Sequence, residues 1–264
     1  MLPKNAITWG GDVVLDKAIW MSWYDLPEQG REGYLSWLHE TYIPKITQQP
    51  GVRWAAHYAS NKVPPAARLT HIRDASVPTG SDFILLFGGE NSYTFTKGAD
   101  TYLNPAPGKP GRLHAGLTDE DRKMLAMRVN ERVSIMIEEG RVDGPEVARR
   151  DRSGLPGPSI QLGNFCANSV AAEEELLSWF GDWRLGALSK LPGCIGARTL
   201  LSSTGWAKHG CLYEFVSNPA REENYPKIRT LYPDAKVWTE RFTRNLIHAP
   251  GSPMVATRIW PPAQ

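Results

Sequence analysis

The stretch "SWLHETYIPKITQQPG", residues 36–51, returns 142 positions later as "SWFGDWRLGALSKLPG", residues 178–193. Both are sixteen residues long, open on Ser-Trp and close on Pro-Gly. A proline followed by a glycine stops a helix, because glycine adopts the left-handed conformation at little cost. The chain therefore writes one helix twice, and what flanks each copy decides the fold.

Ahead of the first copy lies "KAIWMSWYDL" (17–26), and directly after it "VRWAAHYAS" (52–60) and then "SDFILLFGG" (81–89). All three are aromatic or apolar runs of strand length. "TDEDRKMLAMRVNERVSIMIEEG" (118–140) opens on a Thr cap and an acidic first turn. It predicts a helix that buries Met124, Met127, Val129, Val133, Ile135 and Ile137, followed by a weak strand over 142–149. The second half repeats the order: a strand at 159–169, the helix over about 171–191, strands at 194–203 and 209–217, a helix near 221–233 and a final strand in "AKVWTERFTRN" (235–245). Each half reads β-α-β-β-α-β, the ferredoxin-like unit. Such a unit leaves one sheet face bare. The expected architecture is α+β: two tandem units packed sheet to sheet, residues 1–150 with a long insertion at 88–117, and residues 151–264.

The bulk properties exclude several function classes. Thirty basic residues face 28 acidic ones without a concentrated basic patch, which argues against nucleic acid as a partner. No apolar run reaches the ~18 residues of a membrane span, and no basic-then-apolar leader opens the chain, so a cytoplasmic protein without a membrane partner is expected. Cys166, Cys194 and Cys211 form no Cys-x-x-Cys pair and read as buried thiols. None of the six histidines pairs at metal-binding spacing, and neither a phosphate-binding glycine loop nor a nucleophile elbow is present. No metal and no cofactor is expected.

Trp37-Leu38-His39-Glu40-Thr41-Tyr42-Ile43-Pro44, continuing to Pro50-Gly51 and a strand, resembles the motif of EthD-like dimeric α/β-barrel proteins. The second half carries Trp179, Pro192-Gly193, Gly196-Ala197-Arg198 and the strand "LYEF" at 212–215, also similar to that family. The resemblance covers most of the chain and implies the same barrel, here with both halves in one polypeptide. It implies functions ranging over degradation-pathway accessories, cyclases, isomerases and cofactor-free oxygenases. The superfamily also includes haem enzymes built from duplicated halves, but no histidine is nominated here as an axial ligand. Where the family helix has histidine, this chain has Tyr42 and Arg184; where it has proline, Pro44 and Gly186. Roles resting on that histidine do not carry over. The halves differ from each other as well: Arg198 corresponds to Ala56 and Glu214 to Leu86.

Strand alternation puts Trp20, Ser22 and Tyr24 on one face and Met21 and Trp23 on the other. His57 shares a face with Arg53 and Ala55, a place with room for a ligand, and is the candidate general acid/base; a hydrogen-bonded core histidine is the alternative. Tyr42, Tyr24 and His39 are the candidate proton donors or oxyanion partners, and a helix–sheet packing tyrosine is the alternative for Tyr42. Trp20, Trp54, Tyr58 and Phe87 are candidate aromatic walls. Arg198 and Glu214, charged residues in apolar strands, read as a structural ion pair in the barrel or as substrate contacts. The Gly- and Pro-rich insertion is a candidate lid carrying Tyr93, Phe95, Tyr102 and His114, or an oligomer contact. These features predict a cofactor-free lyase, dehydratase or isomerase acting on a small hydrophobic, aromatic molecule in catabolism. The alternatives are a non-catalytic small-molecule carrier and a filled structural duplication. Pairing of two such chains into a homodimer is compatible with the architecture.

Overall fold

The computed structural model describes residues 16–64, 66, 69–95, 117–228 and 233–263. Its first half runs β1 (Ala18–Asp25), α1 (Arg31–Trp37), a π-helical turn (Leu38–Tyr42), α2 (Ile43–Thr47), β2 (Val52–Ser60), a short β3 (Thr70–His71), β4 (Phe83–Gly89), α3 (Asp119–Leu125) and β5 (Val129–Asp143). The second half runs β6 (Ser159–Ala167), α4 (Val170–Trp179), a π-helical turn (Phe180–Arg184), α5 (Leu185–Leu188), β7 (Cys194–Thr204), β8 (His209–Phe215), α6 (Asn218–Asn224), α7 (Pro233–Phe242), β9 (Leu246–His248) and β10 (Met254–Trp260).

Eight strands lie in the order β2-β4-β1-β5-β7-β8-β6-β10, and β10 pairs with β2, so the sheet closes on itself as an antiparallel barrel. The first-half strands stand in the order second-third-first-fourth, and so do those of the second half. The halves meet edge to edge rather than as two stacked sheets, through Met136↔Ser202 on one seam and Thr257↔Ala59 on the other. Closure leaves no barrel edge to pair with another chain. One core fills the barrel, with Met21, Trp23, Ala56, Leu86, Leu162 and Leu212. A second lies between the outer face of the first-half strands and α1–α3, and a third between the second-half strands and α4–α7. The two copied helices end alike: Gly51 and Gly193 take φ +88° and +80°, the left-handed stop their Pro-Gly pairs predict.

Three expected elements are corrected. The helix over 118–140 stops at Leu125, and β5 takes the rest. Thr118 and Asp121 form a reciprocal capping box, so the start is as expected. Beyond it, Ile135 and Met136 pack on opposite faces of the sheet while Met21 pairs with Ser134, which a helix cannot satisfy. The weak strand at 142–149 is the end of β5 followed by a 3-10 turn at Val147–Arg149. The final strand of 235–245 is helix α7; its Trp238 and Phe242, four residues apart, face one core, and β10 further on closes the barrel.

Between β2 and β4, the described residues of 61–82 leave the first half and cross to the second. Asn61 N–H donates to Val255 O at 2.9 Å, Ile72 N–H to His248 O at 2.9 Å, and β3 pairs in parallel with β9. His71 Nε2 meets Ser252 O at 2.7 Å. His71→Ala is expected to cost about 1 kcal/mol, one hydrogen bond's net worth, in urea unfolding.

Candidate functional site

The first-half candidates come together as a buried chain of hydrogen bonds. His39 Nε2 lies 2.8 Å from His57 Nδ1, and His57 Nε2 lies 2.8 Å from Tyr24 Oη. The Tyr34 ring stands edge-on to Tyr24 at 6.1 Å, Arg128 Nε donates to Tyr34 Oη at 2.6 Å, and Arg128 also holds Glu131 at 2.6 Å. Tyr24, Tyr34, Tyr42 and His57 are fully buried. Burial, then the neighbouring His39 and Arg128, holds the His57 imidazole well below its ordinary pKa. Burial likewise lowers His39 and raises the phenols of Tyr24 and Tyr42. The Tyr42 hydroxyl is buried without a partner.

Trp20, Phe87, Trp54, Tyr58, Arg198 and Glu214 pack or pair with their neighbours. Trp20 and Phe87 meet at a tilt, ring centres 5.6 Å apart, in the helix–sheet core. Trp54 and Tyr58 point into the barrel, where Tyr58 Oη donates to Gly157 O at 3.1 Å. Arg198 Nε and Glu214 Oε1 form a buried pair at 3.3 Å. Tyr93 is 67% exposed. Tyr102 and His114 lie outside the described residues, as does most of the candidate lid.

A cavity of about 300 Å³ opens in the second half, and none of the nominated residues that the structure describes lines it. Its floor is the outer face of β6 and β8, with Gln161, Phe165, Cys211 and Tyr213; one wall is the copied helix, with Trp179, Phe180, Trp183 and Arg184. Arg221, Tyr225 and Ile228 close a second side, and His248, Pro253 and Val255 a third. The crossing segment from the first half roofs it with Val63, Pro64, Ala66 and Leu69.

The π turn sets Arg184 into this space. Arg184 stands at the helix position that Tyr42 holds in the first copy. Its guanidinium carbon lies 5.1–5.4 Å from the ring centres of Trp179, Trp183, Tyr213 and Tyr225. It donates to Tyr225 Oη and, at 3.4 Å, to Tyr213 Oη. Gln161 Nε2 donates to the same Tyr225 oxygen at 2.8 Å, and Gln161 Oε1 accepts from Arg221 at 2.6 Å. Across the cavity, His248 is 6% exposed, and neither ring nitrogen has a hydrogen-bond partner. Burial, helped by His71, pulls its pKa down to about 4, so it is a neutral imidazole at pH 7. Among the described residues, no group of three or more His, Cys, Asp and Glu is placed to hold a metal ion, and no helix is long and apolar enough to cross a membrane.

Sequence reasoning singled out Arg184 only as a departure from a family pattern, and passed over Gln161, Arg221, Tyr225 and His248. The one legible signal was a cation inside an aromatic helix; the others sit on elements that meet only in the folded chain.

No protein-family model matches the chain, and no curated protein does. Solved structures do. An anthrone oxidase-like protein superposes with a TM-score of 0.54 at 10% identity, over 92% of each chain. A protein of Fusobacterium nucleatum subsp. nucleatum, described as a candidate monooxygenase, superposes with a TM-score of 0.53 at 8% identity, over 93% of each chain. At such identities the likeness shows the fold alone: the chain is similar to dimeric α/β-barrel proteins, with the eight-stranded antiparallel barrel closed within one polypeptide.

Proposed function

We propose that the second-half cavity is the active site of an enzyme that moves protons on a small, flat, largely apolar molecule, in the lyase, dehydratase or isomerase class and without an organic cofactor. The observation that carries this reading is His248: a buried neutral imidazole, both nitrogens unpartnered, in the wall of a cavity lined by aromatic rings. Such a nitrogen accepts a proton from a substrate C–H or O–H and returns it elsewhere, while Tyr225 and Arg184 stabilise the negative charge that develops. The sequence carries none of the motifs that hold a nucleotide cofactor. Structures of this fold include proteins named for oxidase or monooxygenase activity, which supports chemistry on small molecules and leaves its class to experiment. The shared strand order of the two halves supports a duplication dividing near residue 150, after which only the second copy kept room for a ligand.

A second reading keeps the chemistry in the first half. The Tyr24–His57–His39 chain, with 2.8 Å on both sides of His57 and a half-buried His39 at its outer end, supports it as a proton path.

Thermal-shift screening of aromatic compounds, followed by mass spectrometry of incubated mixtures, tests both readings. His248→Gln is expected to keep binding and to lose turnover by about a hundredfold or more, with His57→Phe near wild type. The reverse pattern moves the chemistry to the first half. Binding without product in the wild type leaves a carrier.

A further inference from the structure

We infer that the ligand of this cavity is a flat carboxylate, its anionic group held by Arg184 and Tyr225 and its ring system lying among the aromatic walls. The inference rests on the reading of the cavity as the ligand site and adds the charge of what enters it.

The argument starts from an imbalance. Among the described residues, two arginines line the cavity and no aspartate or glutamate does. A buried guanidinium without a counter-charge is costly, and elsewhere this chain answers it with carboxylates or main-chain carbonyls. Arg198 meets Asp16 and Glu214, and Arg128 meets Glu131 at 2.6 Å. Arg132 lacks a carboxylate but reaches two main-chain carbonyls, Pro78 O at 2.9 Å and Pro250 O at 3.4 Å. Arg184, 6% exposed, has among the described residues only the phenol oxygens of Tyr213 and Tyr225 as acceptors. Four aromatic faces offset part of the cost through cation–π attraction, and none of them neutralises the charge.

The surrounding hydrogen bonds point the same way. Tyr225 Oη accepts from both Arg184 and Gln161, so its own O–H remains to be given away. Arg221 fixes which way the Gln161 amide faces by donating to its oxygen through two nitrogens, at 3.2 and 2.6 Å. The arrangement presents a guanidinium and a phenol O–H side by side, without an anionic acceptor among the described residues. A carboxylate accepts both, and the planar fork of arginine suits it. A phosphate would match the charge but has no flat body for the rings of Phe165, Trp179 and Trp183.

The test uses a matched pair of probes, 2-naphthoate and 2-naphthamide, which share shape and differ in charge. Affinities are measured by calorimetry at pH 7.5 on wild type, Arg184→Gln and Arg221→Gln, with melting temperatures checked for each. The expected result is an affinity for the naphthoate at least about tenfold above that for the amide in wild type, abolished in Arg184→Gln and reduced in Arg221→Gln. Should Arg184→Gln fail to fold, the half-buried Arg221 decides: a preference undiminished in Arg221→Gln overturns the assignment. Equal affinity of the two probes in wild type overturns the anionic class and leaves the cavity as a site for neutral aromatics. Binding of neither probe overturns the cavity reading and this inference with it.

Discussion

Arg198→Met is expected to destabilise the protein by about 3–5 kcal/mol, because it strips a buried cluster of one of its two positive charges. Arg198 is 1% exposed. It contacts Asp16, lies 3.3 Å from Glu214 and 3.8 Å from Glu138. Arg141 shares Glu138 at 2.6 Å and Asp16 at 3.4 Å. Without Arg198, three carboxylates face the single Arg141, and two of them, Asp16 and Glu214, are almost wholly out of water. Methionine fills a similar volume, so the loss reads as electrostatic. Because Asp16 leads into β1 while Arg198 and Glu214 sit on β7 and β8, the cluster also ties the halves together. For a chain near this size the melting temperature should fall by about 10 °C. Adding Glu214→Gln, which keeps an acceptor for the Gly157 N–H at 3.1 Å, should recover part of the loss. A fall below about 1 kcal/mol would mean that water reaches the cluster and that the pairing is decorative.

Acid should unfold the protein earlier than its carboxylates alone require. His248 has a pKa of about 4 in the folded chain against 6.5 for the free side chain. The unfolded state therefore binds a proton that the folded state refuses. The stability this reflects is intact above about pH 6.5, falls as pH drops below it, and stops falling near pH 4. At pH 4.5 the loss from His248 amounts to about 2–3 kcal/mol. His57, lowered by burial and by His39 and Arg128, adds to it in the same direction. Urea unfolding at pH 7.5 and 4.5 measures the slope. His248→Gln should be flatter than wild type by about 2–3 kcal/mol over that interval. Parallel slopes for the two proteins would show that His248 is solvated and free to protonate in the folded chain.

The charged pair inside the barrel was legible in the sequence because a charge in an apolar strand has few options. The first-half hydrogen-bond chain was legible only in its members. Alternation set Tyr24 with Trp20 and Ser22 on one face and His57 with Arg53 and Ala55 on one face; that both faces lie under the helices, and that Tyr34, Tyr42 and Arg128 fill the space there, came only from the folded chain. The cavity itself escaped. Its floor, helix wall and roof come from β6, the π turn and a segment that belongs to the other half of the chain.

Local chemistry wrote the repeated helix, its Pro-Gly stop, the aromatic strands and the capped start of α3, since each is fixed by neighbours within a few positions. Residues 129–143 and 235–245 were decided otherwise. Their patterns admit either helix or strand, and the deciding factor was which strand places remained unfilled: β5 had to flank β1, and β10 had to reach β2. The same holds for the site. A sequence states which residues exist and how they alternate; it does not state that Arg184, Arg221, Tyr225 and His248 border one space, because only barrel closure and the crossing of residues 61–82 bring those elements together.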